Sequence, residues 1–272
     1  MAKTRRMISE NLKNVDIVIE ILDARIPYSS RNPEISKLTK EKPSLILLNK
    51  CSLADPSVTK EWVKKYSDCH SVCIPTDCVT GEGLSKLSPA IQSILSEKIE
   101  RYESKGMTGR KLKAMVLGIP NVGKSSLINK ISKSKKAKVE NRPGVTLDKQ
   151  WVSTDIGIDL LDMPGVLWPK FEDKLVGENL ALTGAVKDSI LDIETIGMAL
   201  CGRLSELYPE LMCARYKLTS IPEGDNYDLM CAIGRKRGFL ISGGEIDTER
   251  TANMLLDELR AGKIGRITLD KI

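Results

Sequence analysis

The run Gly118-Ile-Pro-Asn-Val-Gly123-Lys124-Ser125 has the form G-x-x-x-x-G-K-[ST]. That spacing suits phosphate. Two glycines let the backbone curl so that its N–H groups surround an anion, Lys124 reaches the outer phosphates, and the Ser125 hydroxyl ligates Mg²⁺. Downstream, Asp162-Met-Pro-Gly165 follows an apolar segment. It supplies a carboxylate that can hold Mg²⁺ through water and a glycine whose N–H can meet a terminal phosphate. Between them, Pro143-Gly144-Val145-Thr146 offers a hydroxyl that would complete the metal shell. Far upstream, Asn49-Lys50-Cys51-Ser52 ends another apolar run. A phosphate-binding loop by itself leaves kinases, ATPases and GTPases open, so the other three segments must decide.

The elements that must hold these residues are legible from pattern. Residues 15–24 and 45–48 are β-branched or leucine-rich runs of strand length, and residues 70–74 make a third. Asn32-Pro33 and Asp55-Pro56 are helix starts, because a polar cap followed by proline suits a first turn. Residues 84–103 carry apolar side chains at helical spacing, which predicts one long helix. After a glycine- and cation-rich loop at 105–113, residues 114–118 form a strand that runs into the phosphate loop and a helix from Lys124. Residues 151–154 and 158–162 read as a hairpin around 155–157. Strands alternating with helices make an α/β fold with a doubly wound, mostly parallel sheet, whose ligands sit at the carboxyl ends of the strands. Beyond Asp173 strand signals fade, and helices are expected at 178–185, 193–208, 227–236 and 247–261. The expected organisation is a nucleotide domain over 1–174 and a helical domain over 175–272.

Composition narrows the class further. The chain has 272 residues, 41% hydrophobic and 29% charged, which excludes bulk disorder. No apolar run reaches the roughly 18 residues of a membrane span, and the basic start, MAKTRRMISENLK, lacks the apolar stretch of a secretory signal, so a cytoplasmic location is expected. Seven cysteines, an odd number, point to free thiols in a reducing compartment. Cys69, His70, Cys73 and Cys78 lie close together but match no standard zinc spacing, so they are expected to pack as small apolar residues. The net charge is +6, concentrated in basic runs near the amino terminus, at 101–113, at 130–142 and around residue 236. Such clusters attract phosphate backbones without reading sequence. Aromatics are only 4%, which excludes a base-stacking sheet and leaves electrostatic, shape-based RNA contact.

The phosphate loop, Thr146 and Asp162-Met-Pro-Gly165, in that order, resemble the first three motifs of a small GTPase. The guanine-reading N-K-x-D motif of that class normally lies downstream, yet here Asn49-Lys50 lies upstream, an order that fits the same sheet only after circular permutation. The chain resembles the ribosome biogenesis GTPase A (YlqF-type) family of circularly permuted P-loop GTPases through residues 23–33 (DARIPYSSRNP), 118–129, 141–146, 160–173 and 182–190. The resemblance covers nearly the whole chain. It implies a slow GTPase that binds GTP or GDP with Mg²⁺ and K⁺, assembles with the large ribosomal subunit and touches its rRNA through the helical part; a monomer is expected, although the sequence does not state the oligomeric state. It further implies that Asn49, Lys50, Cys51 and Ser52 hold the base, with Asp77 and Cys78 in the supporting loop. Asn121, Val122, Gly123, Lys124, Ser125, Ser126 and Gly165 would hold the phosphates. Ser125, Thr146 and Asp162 would hold Mg²⁺ and Asn121 K⁺, while Lys124, Thr146 and Gly165 would serve the chemistry.

Three departures bear on function. Ser52 stands where the family has an aspartate whose carboxylate takes two hydrogen bonds from guanine, and Asp55 is too far along to replace it. A lost contact of that kind costs about 2–3 kcal/mol, so Ser52→Asp is expected to tighten GTP binding by roughly tenfold. Val166 stands where many GTPases carry a water-orienting glutamine. The family's Gly-His precedes the segment that begins here at Met1. Together these set up an alternative, a nucleotide-gated rRNA-binding module with little or no hydrolysis.

Overall fold

The computed structural model describes residues 2–68, 70–107, 109–132, 150–168, 171 and 173–272. Thr146 and its neighbours at 143–145 therefore lie outside the described residues, as does Cys69.

Six strands form one sheet: β1 (Ile17–Asp23), β2 (Ser44–Asn49), β3 (Ser71–Pro75), β4 (Leu112–Gly118), β5 (Gln150–Ser153) and β6 (Ile158–Asp162). Their order is β3-β2-β1-β4-β6-β5, with every neighbouring pair parallel except β5 and β6. The strand side chains alternate between the two faces of the sheet, both of them apolar, as a sheet covered on both faces requires. Ile17, Ile19, Ile21, Leu45, Leu47, Ala114 and Val116 enter the main core. Val18, Met115 and Leu117 enter a second layer, and Leu22, Ile46 and Leu48 a third, on the opposite face. Cys73 packs in the layer with Leu22 whereas Cys78 packs in the main core, so these two thiols point into different apolar clusters.

Register decides what meets at the strand ends. Asp23 is level with Asn49, Ile21 with Gly118, and Val116 with Asp162. The carboxyl edge of the sheet therefore gathers residues from β1, β2, β4 and β6, although β2 precedes β4 by the length of one strand and three α-helices.

The helices expected at the caps form as expected. Asn32 caps α2 (Pro33–Thr39) and Asp55 caps α3 (Pro56–Tyr66), each side chain accepting from two N–H groups of the first turn. A helix not expected, α1 (Ala2–Leu12), precedes β1 and is pinned by Ile8 against Met115, Leu117, Leu161 and Met163. The expected long helix over 84–103 is instead a 3₁₀ turn followed by α4 (Leu87–Ile94) and α5 (Ser96–Glu103). Pro89 has no N–H to donate four residues back, so the α-helix starts only at Leu87. The break at Leu95 leaves Leu87, Ile91 and Leu95 all against the main core. The phosphate loop leads into α6 (Lys124–Ile131).

The remainder is helical: α7 (Lys174–Leu182), α8 (Ile193–Leu207), α9 (Pro209–Tyr216), α10 (Asn226–Arg237) and α11 (Thr248–Arg260). The short α9, missed from pattern, starts with Pro209 in its first turn. Helices α8 and α11 approach closely because residue 197 is glycine; a Cβ there would lie 2.6 Å from that of Ala252. No helix among the described residues is long and apolar enough to cross a membrane. After α11 the chain returns to the sheet's carboxyl edge. Ile267 N–H donates to the Leu53 carbonyl at 2.9 Å and Leu269 N–H to that of Arg25 at 2.7 Å. The buried Asp270 carboxylate accepts from Ser29 N–H, the Ser29 hydroxyl and the Asn179 amide at 2.6–2.8 Å. One apolar cluster runs through Ile19, Leu127, Leu180, Leu204 and Leu256, joining the sheet to the helices.

Candidate nucleotide site

The phosphate loop joins β4 to α6 under tight steric limits. A Cβ on Gly118 would lie 2.6 Å from the Ile21 carbonyl oxygen, so β1 can approach only a glycine. Asn121 and Gly123 are left-handed, with φ of 58° and 106°. At Gly123 a Cβ would also lie 2.2 Å from Asn49 Nδ2. That contact exists because the buried Asn49 amide donates to the Val122 carbonyl at 2.7 Å, while its Oδ1 accepts from Cys78 N–H at 3.0 Å. Asn49 thus ties the phosphate loop to the loop after β3. Both partners are backbone groups with no other route to pairing once buried.

Lys124 folds back on its own loop, donating to the Gly118 and Ile119 carbonyls at 2.9 and 2.7 Å. Burial pulls its ammonium down to about 8, with Asp162 opposing the shift. Asp162, at the end of β6, is pushed up to about 6 by burial, against the attraction of Lys124. Its Oδ1 is buried and without a hydrogen-bond partner. An orphaned buried carboxylate oxygen of this kind is compensated by a cation or a cation-bound water. With Ser125 half-buried in the first turn of α6, the oxygen donor set fits Mg²⁺. Gly165 packs on the same loop, where a Cβ would fall 2.8 Å from Lys124 Nζ and 3.0 Å from Pro120. The following Val166 is held by its N–H to Gly118 and by Asn32 Nδ2 on its carbonyl at 3.2 Å. Asn121 Nδ2 donates to the Gly184 carbonyl at 2.7 Å, linking the phosphate loop to the turn after α7.

The segment after β2 lies beside this loop. Lys50 is left-handed, with φ of 61°, and its ammonium donates to Asp23 Oδ2 at 2.8 Å. Asp23 also receives the Arg25 guanidinium at 2.9 and 2.8 Å. Burial raises the cost of its charge, but Arg25 and Lys50 together hold it well below the usual carboxylate range. Asp23 and Arg25 were not among the expected site residues; the only trace of them was their place in the 23–33 segment. Ser52 donates its hydroxyl to Asp77 Oδ2, so these two loop residues form a pair. Cys51 and Cys78 are buried, and burial pushes their thiols up to about 11 and about 12, leaving them inert packing groups. The turn that carries Ser52 is braced from the far end of the chain. Arg266 donates to the Cys51 and Ala54 carbonyls, both at 2.9 Å.

A parallel sheet whose carboxyl edge carries a phosphate loop, a buried aspartate beside its lysine, and an Asn-Lys turn clasped to that loop defines a P-loop GTPase with the base-side strand placed ahead of the phosphate-side one. A family described as "50S ribosome-binding GTPase" matches residues 113–197. Ribosome biogenesis GTPase A of Bacillus cereus is 44% identical over 270 residues, covering 99% of this chain and 91% of that protein. The Bacillus pumilus protein of the same name is 46% identical, covering 100% and 96%. A mouse mitochondrial ribosome-associated GTPase 1 is 32% identical, covering 100% and 88%. Among solved structures, GNP-bound YlqF from T. maritima superposes with a TM-score of 0.65 at 26% identity, covering 99% and 98%. The chain belongs to the ribosome biogenesis GTPase A family of circularly permuted GTPases.

Proposed function

We propose that this protein binds and hydrolyses GTP as an assembly factor of the large ribosomal subunit, acting in the cytoplasm as a monomer. The observation that carries the reading is the Asn49 clasp, because it fixes the base-side turn directly against the phosphate loop. Residues 1–174 serve as the nucleotide unit and 175–272 as the helical unit. Lys50, its ammonium held by Asp23, which Arg25 holds in turn, lays its stem along one face of the base. Asn121, Val122, Gly123, Ser125 and Ser126 supply backbone N–H groups to the phosphates, and Gly165 adds one at the terminal phosphate. Lys124 exchanges the Gly118 and Ile119 carbonyls for phosphate oxygens, a transfer favoured by the anion. Ser125 and Asp162, with Thr146, are the residues that would hold Mg²⁺, which when bound neutralises charge on the phosphates.

Val166 offers no side chain to orient water, so turnover by the protein alone is slow. K⁺ at Asn121 and contact with the subunit supply what the site lacks. For rRNA the support is charge. Arg235 and Lys236 are exposed in the last turn of α10, within a protein of net charge +6. Family membership favours this reading over a binder without hydrolysis. Phosphate release from GTP, measured in K⁺ and in Na⁺ with and without purified large subunits, tests it. Release that rises with subunits and with K⁺ is expected; background release in every arm, with GTP binding intact, would favour the nucleotide-gated binder. Lys124→Ala should abolish both binding and release.

A further inference from the structure

We propose that guanine is read here by a composite acceptor, the Ser52 hydroxyl oxygen together with the Asp77 carboxylate, so that the discriminating charge has moved from the turn after β2 to the loop after β3. The inference rests on the reading of the chain as a GTP-binding protein. It begins with two residue types: a serine at 52, where the resemblance implies an aspartate, and an aspartate at 77. The two loops are zipped together, since Cys51 N–H donates to the Thr76 carbonyl at 3.0 Å and Cys78 N–H to Asn49 Oδ1 at 3.0 Å. This sets Ser52 and Asp77 side by side, with the hydroxyl donating to Oδ2.

A count of protons and lone pairs says what the pair can do. Asp77 Oδ1 already accepts from Val79 and Thr80 N–H at 2.7 and 3.0 Å. Oδ2 takes the single Ser52 hydroxyl proton, and the Ser52 N–H is also directed at the carboxylate, so Asp77 is saturated by its own loops. Ser52, its proton committed, offers only lone pairs outward. The pair therefore presents the two lone pairs of Ser52 Oγ backed by one negative charge on Asp77, a pattern close to what one aspartate at 52 would present. Guanine offers two adjacent donors, N1–H and the 2-amino group, and they complement this pattern. Adenine has an acceptor at N1 and no 2-amino group, so it would leave buried acceptors unpaired. Asp77 is buried, and although burial opposes its charge, hydrogen bonds from Ser52, Thr80 and Val79 hold it below the usual carboxylate range, so it stays ionised at neutral pH.

The arrangement reverses the expectation that Ser52→Asp tightens GTP binding. A second carboxylate at 52 would face Asp77 where a hydroxyl now donates, and like charges repel. The test measures equilibrium affinity of the full chain with Mg²⁺ for GTP and for xanthosine triphosphate, in which a carbonyl replaces the 2-amino group. Asp77→Asn should weaken GTP at least tenfold and raise affinity for the xanthine nucleotide relative to GTP, because an amide donating to Ser52 Oγ frees the hydroxyl proton to meet that carbonyl. Ser52→Asp alone should not bind GTP more tightly than the native chain. The exchange Ser52→Asp with Asp77→Ser should return GTP affinity to within a few-fold of native.

Two results would overturn the proposal. One is Asp77→Asn holding GTP within twofold of native with no gain for the xanthine nucleotide, which would make Asp77 a loop cap only. The other is Ser52→Asp alone tightening GTP. Should Asp77→Asn fail to fold, the comparison of Ser52→Asp with the exchanged pair still decides. A native chain that binds no guanine nucleotide would instead overturn the GTP-binding reading itself.

Discussion

Asn49→Ala is the perturbation whose cost the geometry states most directly. The Asn49 side chain is 2% exposed and makes two hydrogen bonds, to Val122 O at 2.7 Å and from Cys78 N at 3.0 Å. Alanine removes both and leaves a backbone carbonyl and an N–H unpaired in a site closed to water. Each such orphan costs about 1–3 kcal/mol, so the nucleotide-free protein should lose about 2–6 kcal/mol, against the 5–15 kcal/mol typical of a whole domain. Urea unfolding at pH 7.5 reads this loss, and nucleotide titration reads its consequence for the phosphate loop. Asn49→Asp should be no milder for the loop, because it keeps an acceptor for Cys78 N–H but turns a carboxylate oxygen toward the Val122 carbonyl. Gly123→Ala adds an internal check. Its Cβ would meet Asn49 Nδ2 at 2.2 Å in a backbone with φ of 106°. Combined with Asn49→Ala, it should cost less than the sum of the two single changes, since the clash disappears and only the backbone strain remains. A loss below about 0.5 kcal/mol for Asn49→Ala, or strict additivity in the double variant, would refute the clasp; the former is the scatter of an ordinary surface change.

Two further expectations follow from charge and from the chain's end. The Asp162 carboxyl, raised to about 6 by burial, binds its proton more tightly folded than unfolded. Its contribution to the stability of the nucleotide-free protein is therefore full below about pH 4 and lost as pH rises through 6. Mg²⁺ needs the ionised form, so Mg²⁺-dependent nucleotide affinity should drop about tenfold from pH 7 to pH 5, and Asp162→Asn should flatten that dependence; an unchanged slope in the variant would assign the titration elsewhere. Arg266→Ala removes two bonds to the Cys51 and Ala54 carbonyls. Water can replace an exposed arginine, so a loss of about 1 kcal/mol, or about 2–4 °C in Tm, is expected, together with a weaker hold on the base. If Tm falls and base affinity does not, the tail stabilises the fold without bracing the base-side turn.

What the sequence determined on its own is mostly local. Cap-and-proline pairs placed α2 and α3, β-branched runs placed the buried strands, and the glycine spacing of residues 118–125 announced a phosphate loop, because each signal arises from backbone conformation within a few residues. Permutation was also legible, since Asn49-Lys50 preceded the phosphate loop and only one sheet order could reunite them. Helix α1 was missed because its few apolar side chains gain their hold only in the tertiary structure, against β1, β4, β6 and α2. The expected single helix over 84–103 starts late, at Leu87, where the missing N–H of Pro89 outweighs an apolar period, and divides at Leu95. The tertiary structure alone decided the contacts between distant residues. Sheet register brought Asn49 to Val122, loop zipping brought Ser52 to Asp77, and the return of the last residues set Arg266 under the base-side turn and Asp270 between Ser29 and Asn179. Ser52 looked in the sequence like a lost carboxylate; in the fold a carboxylate from another loop lies against it. A linear pattern carries no information on which buried donor meets which acceptor, because that depends on strand order and packing across the whole sheet, and there the burial of each polar group demands a partner.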